Sequence, residues 1–168
     1  SVENGLEIEI TVSGKVVSYK TMKLKHLASG NEYLITLTLT NSGASYLTYL
    51  TGWYRNDNYD TFVYTLVNDA QTVLSPPAGG SDAYPKAMAV SGGKTYVSGG
   101  YFDTDGWARA CYWVNGSATK LEVPDRSIVE GPDYSESILV SGGKIYVAGS
   151  YNNNDYRNAP CYWVDGVL

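Results

Sequence analysis

Three stretches of the chain crowd oxygen donors together: Asn56-Asp57-Asn58-Tyr59-Asp60, Asp103-Thr104-Asp105-Gly106 and Asn152-Asn153-Asn154-Asp155. Calcium takes carboxylate and amide oxygens as ligands, which makes Asp103, Asp105 and Asp155 the candidate metal ligands, with calcium the one cofactor to consider. The same residue types also serve tight loops, because Asn, Asp and Gly tolerate left-handed backbone, and none of the stretches has EF-hand spacing. Aromatic residues lie in or beside the same stretches: Trp53, Tyr54, Tyr59, Tyr101, Trp107, Tyr151 and Tyr156. Aromatic faces set beside amides and carboxylates stack on sugar rings or anchor a protein partner, and this set is the candidate ligand-binding group.

Catalysis finds little footing. His26 is the single histidine, and there is no Gly-x-Ser-x-Gly elbow, His-Glu-x-x-His helix or phosphate-cradling loop. The carboxylate pairs Glu130 with Asp133 and Asp103 with Asp105 are the residue types a glycosidase uses, but closeness in sequence is not the separation that chemistry requires. The expectation is a protein without an active site of its own. A net charge of -5, with 12 Lys and Arg residues scattered along the chain, excludes the basic footprint of a nucleic-acid binder. The densest basic run, Lys20-Thr21-Met22-Lys23-Leu24-Lys25-His26, reads as a solvated strand face. No apolar run is long enough to cross a bilayer as a helix. No secretory leader is read at the start, which is compatible with a mature exported chain.

The elements that must position these residues repeat. Ser141-Gly142-Gly143-Lys144-Ile145-Tyr146-Val147-Ala148-Gly149 restates Ser91-Gly92-Gly93-Lys94-Thr95-Tyr96-Val97-Ser98-Gly99 at an offset of 50, and Cys161-Tyr162-Trp163-Val164-Asp165-Gly166 restates Cys111-Tyr112-Trp113-Val114-Asn115-Gly116 at the same offset. Within one copy, 137–140 reads as a strand, Ser141-Gly142-Gly143-Lys144 as a hairpin turn, 145–151 as a second strand and 159–164 as a third. The earlier copy adds a fourth strand over 118–123, closed by Pro124-Asp125. A more divergent copy aligns Tyr49-Leu50-Thr51-Gly52-Trp53-Tyr54 with the strand starting at Tyr96, an offset of 47. Val67 to Leu74 aligns with Val114 to Leu121 at that same offset, and Pro76-Pro77-Ala78-Gly79-Gly80 separates the units.

Four short antiparallel strands in a meander, recurring at this spacing, predict an all-β chain of β-propeller-like repeats. The units resemble the kelch-like β-propeller repeats of secreted and surface lipoproteins of gut Bacteroidetes, in which a Tyr-Val-x-Gly strand leads through a polar loop to a Tyr-Trp-x-x-Gly strand. That resemblance covers residues 45–168 and implies an extracellular, cell-surface or periplasmic module that binds a glycan or a protein. The expected organisation is an N-terminal β segment over 1–44, repeats over 45–84 and 85–134, and a truncated repeat over 135–168. A ring typically closes with about four or more blades, so the ring is incomplete in this chain. The chain is then a fragment of a longer protein, or its N-terminal segment finishes the sheet, or several chains assemble through open sheet edges.

The N-terminal part alternates apolar and polar residues along Leu6 to Val12, turns at Ser13-Gly14-Lys15, and alternates again along Tyr33 to Thr40. It reads as a divergent blade or part of a sandwich, and Gly30-Asn31-Glu32-Tyr33 with the strand after it is similar to fimbrillin-like sandwich domains. The recurring strand aromatics Tyr96, Tyr112, Trp113, Tyr146, Tyr162 and Trp163 are expected in the core between repeats. Cys111 and Cys161 hold equivalent places in successive repeats, where a pair of buried thiols is expected ahead of a bridge or a metal site.

Overall fold

The computed structural model describes residues 9–12, 15–18, 36–42, 45–55, 61–68, 70–124, 131–153 and 157–168. The chain divides into two units, Ser1–Glu32 and Tyr33–Leu168. In the first unit β1 (Glu9–Val12) pairs antiparallel with β2 (Lys15–Ser18), with Glu9 opposite Ser18 and Val12 opposite Lys15. This is the hairpin that the alternating strand and the Ser13-Gly14-Lys15 turn predict.

The second unit holds three open antiparallel sheets, each a meander in chain order. The first sheet joins β3 (Thr36–Ser42), β4 (Ser45–Arg55), β5 (Thr61–Val67) and β6 (Ala70–Val73). The second joins β7 (Ser81–Ser91), β8 (Lys94–Phe102), β9 (Ala108–Val114) and β10 (Ser117–Lys120). The third joins β11 (Asp133–Ser141), β12 (Lys144–Asn152) and β13 (Asn158–Val164), with an isolated bridge from Val164 to Val167. The described residues are all-β and include no helix long and apolar enough to cross a membrane.

Register bears out the internal alignment: Tyr49 lies opposite Val67, Tyr96 opposite Val114 and Tyr146 opposite Val164. β3 hydrogen-bonds along β4 from Thr36 opposite Thr51 to Ser42 opposite Ser45, so residues 36–42 pair in this sheet. The fourth strand of the second sheet stops at Lys120, short of the expected 123.

Turn chemistry accounts for the hairpins. Gly92 and Gly93 take φ of 56° and 73°, and Gly142 and Gly143 take 58° and 76°, the left-handed pair that a two-residue hairpin turn requires. At the next turn Asn115 and Asp165 are themselves left-handed and each serves a second purpose. Asn115 Oδ1 accepts the Thr95 N–H at 2.9 Å, and Asp165 Oδ1 accepts the Ile145 N–H at 2.9 Å, so each brace ties the end of the third strand to the start of the second.

Two apolar cores lie between consecutive sheets. Tyr49, Val63, Leu74, Met88, Val97, Cys111 and Trp113 fill the first, and Tyr112, Leu121, Ile138, Val147 and Trp163 the second. Trp113 and Trp163 are fully buried, and a buried indole N–H needs an acceptor. Trp113 Nε1 donates to the Ser75 carbonyl at 2.7 Å and Trp163 Nε1 donates to the Glu122 carbonyl, both acceptors lying just beyond the last strand of the preceding sheet. The glycine of the Tyr-Val-x-Gly strand is a packing requirement. A Cβ on Gly99 would strike the Tyr84 carbonyl and Pro85, and one on Gly149 would strike the Tyr134 carbonyl and Ser135, where the first strand of each sheet is bulged. Cys111 is buried, Cys161 half-buried, and both are free; burial pushes both thiols up, Cys161 to about 11.

Candidate functional site

The oxygen-rich loop between β8 and β9 is organised by Asp103. Its Oδ1 accepts the backbone N–H of Asp105 at 3.1 Å and of Trp107 at 2.9 Å, while Oδ2 accepts Arg109 Nε. Burial opposes ionisation here, but the Trp107 N–H and the Arg109 guanidinium outweigh it and hold the Asp103 carboxyl below its ordinary value. The corresponding loop of the third sheet does the same with an amide: Asn153 Oδ1 accepts the Arg157 N–H at 3.0 Å, and Asn153 N–H donates to the Arg157 carbonyl at 2.8 Å. An amide that takes the carboxylate's place identifies the job as accepting loop N–H groups. Both Asp103 oxygens, named above as candidate calcium ligands, are thus engaged within the protein, with a guanidinium against one of them. Asp105 is exposed at the loop tip, and among the described residues no group of three His, Cys, Asp or Glu side chains could hold a metal ion. Asp155, and Asn56 to Asp60, lie outside the described residues.

Arg109 extends this arrangement to the third sheet. Its NH1 donates to the Gly131 carbonyl at 2.8 Å and stands 3.8 Å from Asp133 Oδ2. Asp133 is buried at the start of β11, so this carboxylate, one of the sequence-paired candidates for acid and base work, serves the packing of β11 on the second sheet. Its partner in that pairing, Glu130, lies outside the described residues.

The candidate aromatics separate. Tyr101 was expected at a partly exposed loop position, but β8 runs on through Phe102, and Tyr101 turns into the first core with 4% exposure. Its ring lies against Gly80, and Lys120 Nζ stands 5.8 Å from the ring centroid. Trp107 is 38% exposed on the β8–β9 loop, and Tyr151 is half-buried at the end of β12. Trp53 is half-buried on β4 against the first core. The side chain of Tyr54, and Tyr59 and Tyr156 altogether, lie outside the described residues. Among the recurring strand aromatics, Tyr112, Trp113 and Trp163 are buried as expected, whereas Tyr162 is 65% exposed.

Trp53 lines a pocket. A cavity of about 320 Å³ opens where the first sheet meets the second, bounded by Trp53, Thr61, Asp82, Tyr84, Lys86 and Phe102. The residues come from the end of β4, the start of β5, the start of β7 and the end of β8, so one end of two sheets supplies the whole lining. Tyr84 and Phe102 meet with ring centroids 6.0 Å apart and planes tilted by 55°. Burial, first, together with the nearby Cys111, pushes the Tyr84 phenol up to about 12, which keeps it an O–H donor at neutral pH. Asp82 is left-handed with φ of 43° where the β7 pairing slips between Ser81 and Tyr84. Lys86 Nζ lies 3.7 Å from Glu136 Oε2 of the third sheet.

Sequence reasoning missed Thr61, Asp82, Tyr84, Lys86 and Phe102. The available signal was Pro85 inside a strand: proline cannot donate to a ladder and marks a bulge, and bulges re-aim side chains. Comparison with protein-family models, curated proteins and solved structures finds no match to this chain, so the site is read from its own geometry.

Proposed function

We propose that the chain is a non-enzymatic extracellular binding and scaffold module of propeller-like repeat sheets, and that the pocket between its first two sheets takes a sugar residue. The observation that carries this reading is the convergence of Trp53, Tyr84 and Phe102 with Asp82, Lys86 and Thr61 around one opening. Aromatic faces suit the C–H faces of a sugar ring, and a carboxylate, an ammonium and hydroxyls beside them suit its hydroxyl groups. A cavity of about 320 Å³ has the size for one ring of a glycan, with the remainder of the chain lying outside. The sheet frame holds these side chains in place before binding, which lowers the ordering cost.

Asp103 and Asp133 both stand on Arg109, which supports the non-enzymatic reading, because neither carboxylate is placed to act as a solvated acid or base. Presentation at a bacterial surface or in the periplasm follows from the resemblance to surface lipoproteins. The test is a glycan array with the purified chain. Binding to one sugar class, lost in Trp53→Ala and Phe102→Ala but retained in Trp107→Ala, is the expected result. A blank array from a folded sample would overturn the glycan reading.

A further inference from the structure

The repeat allows each face of the third sheet to be compared with one that is already covered. On the second sheet, Ala87, Ala89, Tyr96, Ala110 and Tyr112 pack under Ile138, Val147 and Trp163 of the third sheet. On the first sheet, the equivalent positions Tyr49 and Val63 pack under Met88, Val97 and Trp113 of the second. The offset of 50 puts Leu139, Tyr146, Pro160 and Tyr162 on the same face of the third sheet, and strand alternation turns them away from Ile138, Val147 and Trp163. Leu139 is 60% exposed and Tyr162 65%, against 6% for Tyr112 at the equivalent place. One surface is thus made three times and covered twice, each time by the next sheet of the repeat.

We propose that Leu139, Tyr146, Pro160 and Tyr162 form an acceptor face for a further sheet of this repeat type, one that presents valine on its second strand and tryptophan on its third. This face continues the two interfaces already made, whose covering surfaces both carry a Val and Trp strip, Val97 with Trp113 and Val147 with Trp163. A second copy of this chain does not supply that surface. Both of its strips are buried within the chain, and the corresponding strip of its first sheet has Leu50, which is itself buried, and Leu66 in place of the indole. The inference stands apart from the pocket, which lies between the other two sheets.

The test extends the full chain after Leu168 with a second copy of its own residues 119–168, which continues the register at the same offset. Accessibility of Tyr162 is read by tetranitromethane nitration and mass spectrometry, and thermal midpoints are recorded for both chains with and without Tyr162→Asp. The expected result is that Tyr162 is nitrated in the 168-residue chain and protected in the extended one. Tyr162→Asp then leaves the midpoint of the shorter chain unchanged and lowers that of the extended chain. Changing the appended copy of Trp163 to alanine restores nitration. Continued nitration of Tyr162 in the extended chain overturns the proposal. So does a dimer of the 168-residue chain, seen in sedimentation, that Tyr162→Asp dissolves, because the occupant would then be a second copy.

Discussion

The junction between the first and second sheets and the one between the second and third share one frame and close differently. Both have a buried tryptophan donating to the carbonyl just past the preceding sheet, a glycine under the bulged first strand, and valines in the core. At the end of the sheets away from the glycine hairpins they part. Trp53 of the first sheet stands where the second has Gly100, Ala83 of the second where the third has Asp133, and Phe102 where the third has Asn152. One junction therefore carries aromatic rings around an open pocket. At the other, Arg109 reaches the Gly131 carbonyl and Asp133. Gly100 contributes to the first outcome by leaving room for the Tyr84 ring, whose hydroxyl end lies where a side chain would stand. Positions shared by the second and third sheets build the common frame, and positions that depart from the repeat set the two junctions apart.

The sharpest way to break the likeness is to remove each tryptophan. Trp113→Ala and Trp163→Ala each delete a fully buried side chain, and each is expected to cost about 3 to 5 kcal/mol in urea denaturation. A cost under about 1 kcal/mol at either position would show that the two junctions are not built alike. The difference between the junctions is tested by Arg109→Ala, which removes the cation beside buried Asp133 and the donor to the Gly131 carbonyl. Its expected cost is about 1 to 3 kcal/mol, and Phe62→Ala, at the equivalent place in the first sheet, is expected to cost less.

A smaller effect belongs to Asp103. Its folded pKa is lowered, so its contribution to stability is present above the ordinary carboxylate value of about 3.9 and is lost as pH falls through the folded value. Asp103→Asn puts in this loop the residue type that Asn153 supplies in the next. It is expected to change stability at neutral pH by under about 1 kcal/mol and to flatten the acid limb of a stability-against-pH profile. An unchanged acid limb would remove Asp103 from the account. Smallest is Ser98→Ala. The Ser98 hydroxyl is fully buried without a hydrogen-bond partner among the described residues, and the equivalent residue of the third sheet is Ala148. The variant is expected to be neutral or more stable by up to about 1 kcal/mol, and a loss would reveal a partner for the hydroxyl.

Much of the frame was legible because it depends on local chemistry. Gly92-Gly93, Gly142-Gly143, Asn115-Gly116 and Asp165-Gly166, each set between two alternating runs, supply the left-handed residues of the hairpin turns, and strand alternation with a constant offset sets the pairing of Tyr96 with Val114 and of Tyr146 with Val164. The site was legible only at Trp53. Asp82, Lys86 and Phe102 have no counterpart at the repeat offset, Tyr84 recurs only as Tyr134, and these residues reach Trp53 only because two sheets stack and β7 is bulged.

The sequence by itself determined that this protein is all-β, where its hairpins turn and which positions of successive sheets correspond, since these follow from backbone preference and periodicity along the chain. Only the tertiary structure decided which side of each strand is covered. Alternation puts Tyr101 and Tyr162 on definite faces, but burial requires a neighbour on that face. The first sheet and the segment before β7 supply one for Tyr101, while Tyr162 stands exposed on a face that the first two sheets bury.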